Sequence, residues 1–122
     1  MSGHNILQQL SREPELEIMD PGASGTIAID RTLGVCPIVT AGAEGRVIAE
    51  PVRAGIILTL ALKTDGGNAT VTTAGSETIN AGGTEGTQVV LDTAGDSITL
   101  ISIPKGSDIV WAVLANNGGT VS

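Results

Sequence analysis

The sequence predicts an all-β fold, a compact antiparallel β-sandwich or small β-barrel with an extended N-terminal arm. Three observations carry that expectation. Between Ala54 and Ala115 the apolar residues recur with a period of two, the mark of strands that turn one face toward a core. Clusters of Gly, Pro, Asp, Asn and Ser interrupt these runs at roughly eight-to-twelve-residue intervals, the spacing of sandwiches and barrels. The runs themselves are small and branched aliphatics, since Phe and Tyr are absent and Trp111 is the only aromatic residue.

Residues 1–20 read as an arm and residues 21–122 as the β domain. In the arm, Ile6, Leu7 and Leu10 have the spacing of a short amphipathic helix, which Pro14 limits because the residue before a proline is pushed toward extended conformations. The following PELEIMD alternates like a strand, with Leu16 and Ile18 on one side and acidic residues around them. These five apolar residues, Ile6, Leu7, Leu10, Leu16 and Ile18, are the expected anchors on a partner surface; the alternative is that the segment packs back on its own domain. The domain opens at the turn DPGAS, where Pro presets φ and Gly supplies positive φ.

GTIAID then alternates as a half-buried first strand, with Ile27 and Ile29 on one side. CPIVT is a short strand near a sheet edge, since Pro37 has no N–H for a central ladder. After the loop AGAEG, RVIAEPV is a third extended piece that Pro51 interrupts. Ile56, Leu58, Leu60 and Leu62 define the core face of the next strand, opposite Ile57, Thr59, Ala61 and Lys63. TDGGN has the composition of a short hairpin loop, so ATVTT is expected to return antiparallel to that strand. The glycine-rich GSETINAGGTEG is irregular. QVVLD, SITLISI and IVWAVLA complete the sheets, joined by the turn-like TAGD and PKGSD, and NNGGTVS ends in a turn and a short strand. The last long strand is apolar on both sides, which predicts cover from the second sheet on one face and from a neighbouring subunit on the other.

With one aromatic ring and 17 glycines, a monomer of 122 residues has little core to spare. Burial between identical subunits is the expected remedy. The formal net charge of −7, with no Lys/Arg cluster, excludes nucleic-acid binding as the main activity. Apolar runs such as Ile56–Leu62 fall far short of the ~20 residues of a membrane helix, and the N-terminus lacks the pattern of a secretory signal. The expected site of synthesis is therefore the cytoplasm.

The sequence offers no catalytic constellation. His4 is the only histidine and Cys36 the only cysteine, so neither a triad nor a zinc set is at hand, and Cys36 in VCPIVT reads as a small buried thiol. DGGN and GGTEG carry one carboxylate apiece and no P-loop lysine, which makes them turns rather than calcium or phosphate sites. Asp92 with Asp96, or Glu77 with Glu85, could pair as glycosidase carboxylates only with a sugar-binding cleft around them. The expectation is a protein that is not an enzyme and uses no cofactor or metal. A carbohydrate-binding domain is disfavoured for want of exposed rings.

LTLALKTDGGNATVTTAG, LDTAGDSITLISI and IVWAVLA together resemble a segment of small structural proteins of tailed bacteriophages, among them capsid decoration or cement proteins. The likeness covers Ala54 to Ala115. It implies a homotrimeric β-rich knob on the virion capsid surface, made in the host cytoplasm, whose N-terminal arm grips the major capsid protein. A tail-fibre or baseplate module of a phage is the alternative that the same hairpin motifs suggest.

Overall fold

The computed structural model describes residues 16–80 and 83–122. Nine strands form two sheets: β1 (Gly25–Ile27), β2 (Leu33–Val39), β3 (Glu44–Ile48), β4 (Ile57–Thr64), β5 (Ala69–Thr73), β6 (Gln88–Leu91), β7 (Ser97–Lys105), β8 (Asp108–Asn117) and β9 (Thr120–Val121). One sheet has the order β2-β4-β7-β8 and the other β1-β3-β5-β6-β9. They pack face to face without closing, so the molecule is a sandwich and not a barrel. The helix expected around Ile6, Leu7 and Leu10 lies outside the described residues.

The sheets are mixed, which corrects the antiparallel expectation. β2 and β4 are parallel in one sheet, while β1, β3 and β5 run parallel in the other. The cause lies in the loops. TDGGN makes no hairpin: it carries the chain from β4 in one sheet to β5 in the other, so the two strands never pair. The loop before β3 makes the same crossing from β2. The turn at Asp20–Ser24 makes it a third time, between Glu17, which bridges Val35 in parallel, and β1. Three β-arches are thus stacked rung on rung at a spacing of about 20–25 residues, a short solenoid in all but name.

Gly66 and Gly67 explain why TDGGN arches. Their backbone lies flat against Thr40–Ala43 of the rung before, so close that a Cβ on Gly67 would overlap the backbone of Gly42 and Ala43. Thr40 rivets the two loops. Its buried hydroxyl donates to the Gly67 carbonyl at 2.7 Å and accepts the Gly66 N–H at 3.0 Å.

Arg46 closes the arch end. Its side chain is fully buried, and all five of its N–H donors are used. Nε and Nη2 donate to the two Asp20 oxygens at 2.7 and 3.1 Å, and Nη1 donates to Glu44 at 3.0 Å. The Gly45 and Val39 carbonyls accept the remaining two at 3.1 Å. Burial opposes ionisation of Asp20, but the bond from Arg46, the N–H groups of Val39 and Gly22 and the guanidinium charge outweigh it and hold the carboxyl below its usual 3.8. Glu44 is likewise lowered, first by the Ala41 N–H and then by Arg46. One cation therefore joins the first arch to the second.

The core between the sheets is aliphatic. Leu58, Leu60 and Leu62 face Ala69, Val71, Val89 and Leu91, and Trp111 is wholly enclosed. Each fully buried Leu or Val contributes on the order of 1.5–3 kcal/mol, which compensates for the missing rings. Cys36 sits in this core, its thiol pushed up to about 11 by burial and by the Asp20 carboxylate, so it is the inert thiol expected. β2 is an edge strand, as Pro37 required, and PKGSD is a true two-residue hairpin in which Gly106 takes the positive φ of 64°.

Candidate functional site

The arm residues named as anchors divide. Ile6, Leu7 and Leu10 lie outside the described residues. Leu16 is exposed, as an anchor must be. Ile18 is not available. It is 3% exposed within the core cluster, its N–H donates to the Val35 carbonyl at 2.7 Å, and its side chain lies where a Cβ on Gly34 would be. Glu17–Asp20 thus pack as part of the first rung.

The carboxylates considered as catalytic pairs hold turns together. Asp96 accepts the N–H groups of Asp92 and Thr93 at 3.2 and 3.1 Å. Glu77 accepts those of Ala74 and Gly75, both at 3.2 Å, and Glu85 takes the Lys105 ammonium at 2.6 Å and the Thr78 hydroxyl at 3.1 Å. Glu50, Glu77 and Asp108 do edge a shallow cleft at the end of the sandwich remote from Arg46. Among the described residues no group of three His, Cys, Asp or Glu side chains could hold a metal ion. No helix among them is long and apolar enough to cross a membrane. Trp111, the only ring available to stack on a sugar, is in the core.

What remains is a surface, the outer face of the four-stranded sheet. Registered neighbours run across it as Leu33–Ile57–Ile101–Ala112 and, two residues on, as Val35–Thr59–Thr99–Ala115. Val39, Ala61 and Ile103 extend the same face, and Val110 beside Ile103 is already buried. Leu33 is 45% exposed, Leu114 at the β8 bulge is 55% exposed, and the isoleucines of β4 and β7 are half-buried. The two polar side chains at its centre bond one another: Thr59 Oγ1 lies 3.0 Å from Thr99 Oγ1. Within β2, β4, β7 and β8 no acidic side chain stands between the first row and the last; Glu17, which bridges Val35 in parallel, adds a carboxylate at the open edge of the second row, and Lys63 and Lys105 mark the two ends. An apolar centre with a charged rim is the anatomy of a docking surface, and a soluble monomer rarely leaves so continuous a patch uncovered.

No family model matches the chain, and no curated protein matches it. The site must therefore be read from its own residues, an apolar centre edged by charge. In the sequence, the two-sided apolarity of β8 marks its share of this face, and the alternation of Leu33, Val35 and Val39 with Cys36 and Ile38 in LGVCPIV marks that of β2.

Proposed function

We propose that this protein is a non-enzymatic structural protein of a phage virion, one that decorates the capsid surface and stabilises the assembled shell by binding it through the major capsid protein. The observation that carries the reading is the aliphatic outer face on a domain in which Asp20, Glu44, Asp65, Glu77 and Asp96 are spent on its own turns. A protein that binds the assembled state better than its separated parts stabilises it by mass action, with no chemistry required. The resemblance of the Ala54–Ala115 segment to decoration proteins supplies the particular assembly.

In this reading Ile6, Leu7, Leu10 and Leu16 serve as anchors on the shell, while Ile18 belongs to the domain. The test is a sedimentation assay of purified protein with expanded phage shells, using the whole chain and a variant lacking residues 1–15, which spares Ile18. The whole chain is expected to pellet in hundreds of copies per shell, and the shortened chain to remain in the supernatant while keeping its fold. A handful of copies per particle would transfer the protein to the tail, as a fibre or baseplate module. Absence from virions altogether would end the proposal.

A further inference from the structure

The adhesive reading leaves open what the aliphatic face adheres to. We infer that its occupant is the same face of a second copy of this chain, packed sheet on sheet about a two-fold axis. This rests on the proposal that the protein works by adhesion, but it assigns a different surface from the arm.

Charge is the first argument. At a net charge of −7, two copies repel wherever acidic surface meets acidic surface. The aliphatic face largely escapes that penalty, since the rows of its four strands hold no charged side chain and Glu17 stands only at the outer edge of β2. Satisfaction of polar groups is the second. Burying a hydroxyl without a partner costs about 1–3 kcal/mol, but the bond between Thr59 and Thr99 leaves only one O–H to find an acceptor when the face is covered. The opposite outer face is built otherwise. Its row Thr26–Val47–Thr72–Gln88 alternates polar groups through the same positions, so only one side of the sandwich is prepared for dry contact.

Size is the third argument. Four strands about 4.8 Å apart, each about seven residues long at about 3.3 Å per residue, give a footprint of roughly 440 Å². Two copies face to face cover roughly 900 Å², and corrugation of the side-chain layer raises the accessible area above that, to the ~1,000 Å² from which specific interfaces begin. A face laid on itself is an isologous contact and closes at two subunits. Packed this way, the pair is a four-layer stack whose middle two layers are the aliphatic sheets, spaced about 10 Å as in any sandwich.

The test is the solution mass of the full chain by sedimentation velocity across a concentration series, with two substitutions on this face and one on the other. Ile101→Lys and Leu33→Lys place a cation in the first row, and Thr72→Lys places the same cation on the opposite sheet. Lysine brings the net charge nearer zero, so any dissociation comes from the site and not from added repulsion. The wild type is expected to be a dimer. Each face variant should raise the dissociation constant by at least about a hundredfold, the scale of a central interface residue, and Thr72→Lys should leave it unchanged. Enclosed Trp111 reports by its fluorescence that each variant is folded.

A wild type that stays monomeric at tens of micromolar overturns the inference. So does a three-subunit mass, or dissociation by Thr72→Lys equal to that by Ile101→Lys. Shell binding is read separately: a monomer that still pellets with shells refutes the pairing and leaves the decoration proposal standing, whereas a dimer that ignores shells does the reverse.

Discussion

The two outer faces of the sandwich are made by the same alternation of residues, yet they present opposite surfaces. On the five-stranded sheet the outward positions are Thr26, Thr70, Thr72, Gln88 and Thr120, with Val47 and Val90 singly among them. On the four-stranded sheet the corresponding positions are mostly Leu, Val, Ile and Ala, with one threonine pair at the centre, Pro37 and Ser97 flanking Ala61, and Lys63 and Lys105 at the ends. Threonine suits an exposed pleated face because its branched Cβ favours the strand while its hydroxyl meets water. Leucine and isoleucine in the same setting favour the strand no better and leave their surface in water. The difference is therefore not one the fold needs. It teaches that the inward residues alone build the sandwich, and that the aliphatic set of outward residues is not needed for it.

Both faces depend on registers fixed at the arch end, so the largest effect is expected there. Arg46→Met leaves the Asp20 carboxylate partly buried without its cation, and removing one partner of a buried pair costs about 3–5 kcal/mol. Chemical denaturation should show that loss in the midpoint, and a loss below 1 kcal/mol would mean the clamp is ornamental. Next comes Gly67→Ala, which drives a Cβ into the backbone of Gly42 and Ala43. Overpacking of this kind costs roughly 1–3 kcal/mol, and thermal unfolding should place the variant between Arg46→Met and the wild type.

Acid should weaken the same end. The carboxyls of Asp20 and Glu44 are lowered in the folded state, so the stability they contribute is complete above their ordinary values of 3.8 and 4.5 and is lost as the pH falls through and below them. A plot of unfolding free energy against pH should therefore decline on the acid side of about pH 4.5. In Arg46→Met that decline should be shallower, because there the cation no longer depresses either group. The smallest effect sharpens the comparison of the faces directly. Thr59→Val removes the only hydroxyl partner of Thr99 at the centre of the aliphatic face and should cost at most about 1 kcal/mol in the monomer. It makes the face more uniformly apolar but leaves Thr99 to be buried alone, so sedimentation should show no tightening of self-association. A tighter dimer would mean that the threonine pair contributes nothing to the contact.

How much of this was legible in the sequence depended on range. Where the deciding contact was local, the sequence sufficed: the even-numbered residues of β4 are the core face, Pro37 keeps β2 at an edge, and Gly106 turns a tight hairpin. Where a residue's role was decided by a neighbour on another rung, it did not. DGGN carries the strongest short-range signal for a hairpin, and only the loop at Thr40–Ala43, against which its glycines lie, makes it an arch. Arg46 is an unremarked basic residue in EGRVI until Asp20 arrives 26 positions away along the chain. Ile18 was assigned to the arm because of its acidic surroundings.

A signal for the rungs was nevertheless present. IMDPGASGTI, IVTAGAEGRVI and LKTDGGNATV each place a buried aliphatic, Ile18, Ile38 or Leu62, two residues before a loop containing Gly and follow it with a strand. Read as a weak internal repeat, these segments point to parallel stacking, since repeats that stack place like residues side by side.

The arches have one more consequence. Because each of the three crosses from one sheet to the other, the arched strands of the two sheets are tied together rung by rung. Closing a rung lengthens both layers by one strand at once, and opening a rung strips both. A partner gripping only the aliphatic side would thus brace the threonine side as well, through the covalent bends at the edge, and a force applied to either layer would be shared by the whole body before any of it could peel away.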